Sequence, residues 1–297
     1  MSSPSTSRSV SCGSPLTWLH SLIRYFAGTF GTVGAYTVGR SYAAHPLQFT
    51  IPDITIVVSA MMLNIAVGSI VNDLSDQSHD PSNPLKEFSQ QVMKLLPRRI
   101  WVSITVVLCL GIAVTMALVF DAFTLGVFLT LMALGYLYSC GPRLKARAPF
   151  DSIVGGGAYA LLTILGQRHA HHQIVWPWTL WFAAKFIAFH VLTTIIDYPF
   201  DLAEGIGTFA VRFGPRFSAF FVVTVFGINI ARYHSTRYQG PRLSLFGIAF
   251  VLLLALIFQP GIRMGEAIGG QNAPSYHWRI MAISSLAILF VTAAILI

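Results

Sequence analysis

Residues 54–71 read ITIVVSAMMLNIAVGSIV, and residues 72–80 read NDLSDQSHD. The first stretch carries no formal charge and, wound as a helix, approaches the ~30 Å hydrocarbon thickness of a bilayer. The second is polar and acidic from its first residue. An apolar run that ends abruptly in carboxylates is the pattern from which the fold follows.

Runs of the same kind recur near Leu16 to Val38, Ile100 to Phe120, Ala122 to Ser139, Phe150 to Gly166, Ile174 to Ile196, Phe217 to Ala231, Leu243 to Phe258 and Ile280 to Ile297, giving nine in all. The fifth, seventh and eighth are the shortest. The chain is 55% hydrophobic and 10% charged, against roughly 25% charged for a soluble domain. A segment crossing lipid must satisfy its own backbone polar groups, and runs of this length do so as helices rather than as short alternating barrel strands. The expected fold is all-α: a multi-pass transmembrane bundle of about nine helices around a central chamber. Residues 16–297 form its single domain, and Ser-rich residues 1–15 read as a disordered tail.

The formal net charge is +8, but Lys and Arg are scattered between spans rather than massed on one soluble face, which excludes a nucleic-acid partner. They report topology instead. With nine spans the N-terminal face carries most of them, including Arg24, Lys86, Lys94, Arg98, Arg143, Lys145 and Arg212. The opposite face keeps only Arg40, Arg168, Arg232, Arg237 and Arg242. The first face is therefore expected to be cytoplasmic. Cys12, Cys109 and Cys140 form no CxxC pair and are too dispersed for a disulfide framework.

Asp73, Asp76, Asp80, Glu87, Asp197, Asp201, Glu204 and Glu266 all fall on that same face. Asn72, Asp73, Asp76 and Asp80 lie within an arc of about 100° if the second helix continues through them. Asp197, Asp201 and Glu204 lie within about 60° on the sixth. Two carboxylates about 4 Å apart repel by about 4 kcal/mol at an effective dielectric of 20, so converging clusters call for cations. Oxygen ligands without His or Cys favour a hard ion, and Mg2+ fits because it bridges few carboxylates to phosphate oxygens. Solvated helix ends with ordinary loop charges are the plain alternative.

These residues resemble the UbiA-type intramembrane prenyltransferase superfamily, whose members have nine helices and Asp-rich motifs of the NDxxDxxxD and DxxxD kind. The stretch Tyr138 to Lys145, YSCGPRLK, is similar to the family's YSxPPxRLK but one residue shorter, and Pro199 interrupts the second motif. Asn83-Pro84-Leu85-Lys86 and Asp197 to Thr208 look most like the branch that prenylates carotenoids such as lycopene.

The resemblance implies that Asn72, Asp73, Asp76, Asp80, Asp197 and Asp201 hold Mg2+ and a prenyl diphosphate donor, with Lys86, Arg143, Lys145 and Arg212 as diphosphate partners. The candidate catalytic set is Asp73, Asp76, Asp197 and Asp201, joined on their own positions by Tyr138 and His190, and the resemblance implies a lipophilic acceptor within the lipid bilayer. Tyr138 reads as a cation-stabilising ring or an interfacial anchor. His190, seven residues before Asp197, shares its helix face and reads as the final proton acceptor or as a hydrogen-bonded packing residue.

Lys185 lies mid-span, where a charge is costly, and the sequence assigns it no role. His169, His171 and His172 read as loop residues, Gly155 to Gly157 as a site of close helix packing, and Trp176, Trp178 and Trp181 as an interfacial belt. Two other functions stay open. A terpene cyclase would use the same ionisation site without an acceptor, and a transporter would place its ionisable residues along a path through the membrane.

Overall fold

The structure, a computed structural model, describes residues 32–40, 50–76, 87–170 and 173–235. The expected tail, the last two spans, and Asp80, Lys86, His171 and His172 lie outside the described residues. The helices are α1 (residues 32–40), α2 (Ile51–Met62), α3 (Ser69–Asp76), α4 (Glu87–Lys94), α5 (Arg98–Val119), α6 (Ala122–Ser139), α7 (Phe150–His169), α8 (Trp176–Ala203), α9 (Phe209–Phe213) and α10 (Pro215–Ser235). No strand occurs among the described residues, so the all-α expectation holds.

Local chemistry sets the helix limits. Thr50 caps α2 through a reciprocal capping box with Asp53. Asp121 caps α6 by accepting from the Thr124 amide at 2.9 Å. Pro177 occupies the first turn of α8, where its missing N–H costs nothing. Gly205 ends α8: its φ of 69° lets the Ile206 amide donate back to Asp201 O at 2.8 Å and the Gly205 amide to Leu202 O at 3.3 Å. That pair of bonds is a Schellman closure.

Between α2 and α3 the chain winds as a wide π turn over Leu63–Gly68 and continues without a break into the acidic residues. The sequence predicts a regular helix there. The described residues of the expected long loops are also largely helical: α4 fills part of the first, and α8, α9 and α10 leave only 204–208 and Gly214 irregular in the second. Pro199 does not break α8.

Among the described residues three helices, Arg98–Val119, Ala122–Ser139 and Trp176–Ile195, are long and apolar enough to cross a membrane. On α5, Val102, Val106, Leu110, Val114 and Leu118 recur at four-residue spacing and all stay exposed, as a lipid-facing stripe does. Its opposite side buries Ile112 and Met116 in a core that includes Tyr36, Ile56, Phe128 and Leu165. α1 and α7 cross with backbones in contact, since a Cβ on Gly39 would stand 2.1 Å from Thr163 O and one on Gly166 2.1 Å from Tyr36 O.

A polar knot ties the far end of the bundle. Asp53 Oδ1 accepts from the Tyr36 hydroxyl at 2.8 Å and from Arg40 at 2.7 Å, while Arg40 also donates to His169 O at 3.2 Å. His169 Nε2 lies 2.8 Å from Thr124 Oγ1, and its ring stacks on Phe120. His169 is thus a structural member of α7 rather than the loop residue expected.

Candidate active site

Asn72 and Asp76 stand one turn apart on α3, and the Lys145 ammonium meets both. It donates to Asn72 Oδ1 at 2.8 Å, to Ser75 Oγ at 3.0 Å and to Asp76 Oδ1. Arg143 adds a bond to the same Asp76 oxygen at 3.0 Å. Lys145 and Asp76 are 8% and 5% exposed, so both charges are largely withdrawn from water and each depends on the other. The shared face expected for Asn72 and Asp76 is present. Asp73 follows on α3, half-buried.

The basic residues arrive here because α6 stops at Cys140 and the chain folds into a tight turn. Gly141 and Arg143 both take left-handed backbone, with φ of 57° and 52°, and a short 3-10 turn covers Leu144–Ala146. This linker touches both acidic helix ends. Through Lys145 it grips α3, and through the Ala148 amide it donates to Gly207 O at 2.8 Å. Arg147 and Gly207 form a parallel bridge beside that bond.

On the second acidic end, Asp201 Oδ2 accepts from the Thr208 hydroxyl at 3.0 Å. Asp197 lies one turn earlier on α8, partly buried, and Glu204 is the residue that closes the helix. Arg212 is exposed in the last turn of α9. Among the described residues no group of three His, Cys, Asp or Glu side chains is gathered tightly enough to hold a metal by itself. The oxygen donors of Asn72, Asp73, Asp76, Asp197 and Asp201 nevertheless suit a hard divalent ion.

Deeper in the bundle the Tyr138 hydroxyl lies 2.9 Å from His190 Nε2, with the rings edge to face. Gly155 makes room for this pair: a Cβ there would come within 2.5 Å of His190 Cδ2. A Cβ on Gly156 would lie 2.2 Å from Ile187 Cγ1, whereas Gly157 faces open space. Two of the three glycines therefore serve the close packing expected of them.

Lys185, one turn and a half before His190, is 4% exposed. Its ammonium sits 4.0 Å from the centre of the Phe182 ring and under 6 Å from Trp178 and Trp181. Sequence reasoning missed this shelf, although the i, i+3, i+4 and i+7 spacing of 178, 181, 182 and 185 displays it. Trp178 and Trp181 are partly buried against it, and only Trp176 stays exposed in the manner of an interfacial belt.

An all-helical integral membrane bundle with carboxylates and cations paired at one end is the class that this fold and site define. Residues 32–264 match the UbiA prenyltransferase family, and the chain belongs to it. The fold is similar to that of a UbiA homolog from Archaeoglobus fulgidus bound to GPP and Mg2+, with TM-score 0.64, 20% identity, and 95% of this chain and 100% of that one covered. The DMAPP and Mg2+ complex of a UbiA homolog from Archaeoglobus fulgidus gives TM-score 0.64 and 19% identity over 93% of this chain and 98% of that one. An apo UbiA homolog from Aeropyrum pernix K1 gives TM-score 0.63 and 14% identity, covering 90% of this chain and 96% of that one. No curated protein matches the chain.

Proposed function

We propose that the protein ionises a prenyl diphosphate with Mg2+ and transfers the prenyl group to a lipophilic acceptor inside the bilayer. The observation that carries this reading is the buried cluster of Lys145 and Arg143 on Asp76, with Lys145 also on Asn72, in a member of the UbiA family. Archaeoglobus homologues of this fold are described with GPP or DMAPP and Mg2+. Asn72, Asp73, Asp76, Asp80, Asp197 and Asp201 would hold the ion, which when bound supplies neutralising charge to the departing diphosphate.

Lys145 and Arg143 give fixed positive charge where that negative charge develops, and Lys86 and Arg212 would add to it. The C–O bond breaks with its electron pair leaving on diphosphate. The allylic cation forms a bond to the acceptor, and the acceptor's proton passes to His190, whose Nε2 is oriented by Tyr138. The apolar walls keep water from the cation. The resemblance of Asn83 to Lys86 and Asp197 to Thr208 to the carotenoid-prenylating branch is the ground for proposing a carotenoid such as lycopene as the acceptor.

By the distribution of Lys and Arg, the N-terminus and the acidic loops face the cytoplasm. Residues 16–297 act as one domain and 1–15 as a tail.

The test is to incubate the purified protein with Mg2+ and donors of increasing length, with and without lycopene or a membrane extract, and to identify the products. Diphosphate release that needs both Mg2+ and acceptor supports transfer. Release with a cyclic hydrocarbon and no acceptor would assign a cyclase, and no release from any donor would remove the reading. Asp73→Asn and Asp197→Asn should each abolish turnover in folded protein.

A further inference from the structure

We propose that Asp151 is a positioning residue: from α7 it tethers the first amide of α9, which keeps the adjoining Thr208 in place to hold Asp201 at the site. This rests on the reading above and adds to it a residue outside both acidic motifs.

Thr208 stands at the N-cap position of α9, where a threonine hydroxyl ordinarily accepts from an amide of its own helix. It makes no such bond. Its hydroxyl donates instead to Asp201 Oδ2 at 3.0 Å. The amide at the start of α9, Phe209 N, donates 2.7 Å away to Asp151 Oδ2. Asp151 is 0% exposed, and a buried carboxylate is retained only where it is hydrogen-bonded.

Geometry around this bond makes it a strap between the two acidic ends. Asp151 lies in the first turn of α7, immediately beyond the linker that carries Lys145. Three further bonds fix the turn it serves: Ala148 N to Gly207 O at 2.8 Å, Ile206 N to Asp201 O at 2.8 Å, and Thr208 N to Ile206 O at 2.9 Å. Without the Asp151 acceptor, the Phe209 amide loses its partner and the start of α9 is released from α7, so the adjoining Thr208 hydroxyl is no longer held in place against Asp201.

Four versions of the full-length protein in detergent test the strap: unsubstituted, Asp151→Ala, Asp151→Asn and Thr208→Val. Hydrogen exchange is followed in the peptide spanning Phe209, and geranyl diphosphate binding is titrated against Mg2+. Exchange should accelerate in Asp151→Ala alone, because Asp151→Asn keeps an acceptor oxygen and Thr208→Val leaves the strap intact. Asp151→Ala and Thr208→Val should each raise the half-saturating Mg2+ about tenfold, the scale of one charge-assisted hydrogen bond, with Asp151→Asn close to the unsubstituted protein.

A merely structural Asp151 would lower the unfolding temperature of Asp151→Ala without moving the Mg2+ titration of the folded fraction, and that result overturns the proposal. Unchanged exchange at Phe209 in Asp151→Ala overturns it as well. If the unsubstituted protein binds no donor, the prenyl diphosphate reading fails and the positioning role with it, while the exchange data still report the strap itself.

Discussion

The Tyr138 hydroxyl, in the last turn of α6, lies 2.9 Å from His190 Nε2 on α8, and this contact joins helices whose ends carry separate parts of the site. His190→Gln is expected to lower kcat about 100-fold, a typical share for a general base, with KM for the donor little changed. Tyr138→Phe should fall between that variant and the unsubstituted protein. Steady-state kinetics decides the matter: equal loss in donor KM would mean that the pair binds substrate rather than removing a proton.

Gly155→Ala should reproduce much of the Tyr138→Phe defect, because its new Cβ would lie 2.5 Å from the His190 ring and an imidazole cannot fold away as a long chain does. Gly157→Ala is the control. Its Cβ meets nothing within 4 Å, and alanine in place of a helical glycine stabilises by roughly 0.5–1 kcal/mol. Comparing the kcat values of the two variants tests the argument, which equal activities would defeat.

Asp76→Asn should destabilise more than Lys145→Met. Losing the carboxylate strips both Lys145 and Arg143 of a partner, whereas losing Lys145 leaves Asp76 with Arg143 at 3.0 Å. Removing one member of a buried pair typically costs about 3–5 kcal/mol, the scale expected for Asp76→Asn, with Lys145→Met below it. Thermal unfolding in detergent gives the order, and a reversed order would show that the two cations do not share this acid.

Acid should loosen the far end of the bundle. The Thr124 amide and hydroxyl, both donating to Asp121, hold its carboxyl below the ordinary aspartate range, with smaller help from His169 and Arg168. A carboxyl lowered by folding contributes stability that is complete above about pH 4, its unfolded value, and is lost as pH falls through the folded value. Asp121→Asn should therefore flatten the acid limb of a stability-against-pH curve between pH 5 and the acid end. An unchanged limb would remove Asp121 as its source.

Much of this arrangement is legible in the sequence, and the remainder is hidden for identifiable reasons. Apolar run length gives the spans because lipid imposes it, and the Asn72–Asp76 face follows from helical spacing alone. YSCGPRLK marks Lys145 and Arg143 through its resemblance to a family motif, but not their reach onto α3, which depends on left-handed backbone at Gly141 and Arg143. Asp151 looks like an ordinary first-turn acid, since its partner is a backbone amide 58 residues away and an amide leaves no mark in composition. His169 reads as loop for a similar reason: Tyr36, Thr124 and Phe120 reach it only once α7 is docked.

The wide turn at Leu63–Gly68 sets the phase of everything after it. Such a turn holds about one residue more than an α-helical one, and one residue corresponds to about 100° of rotation. If that segment wound as an ordinary α-helix with the same number of residues, every carboxylate would remain yet Asn72 and Asp76 would swing about 100° away from Lys145. The acidic tip is aimed by how the backbone below it is wound, so a change of winding there can silence the site as completely as the loss of an aspartate.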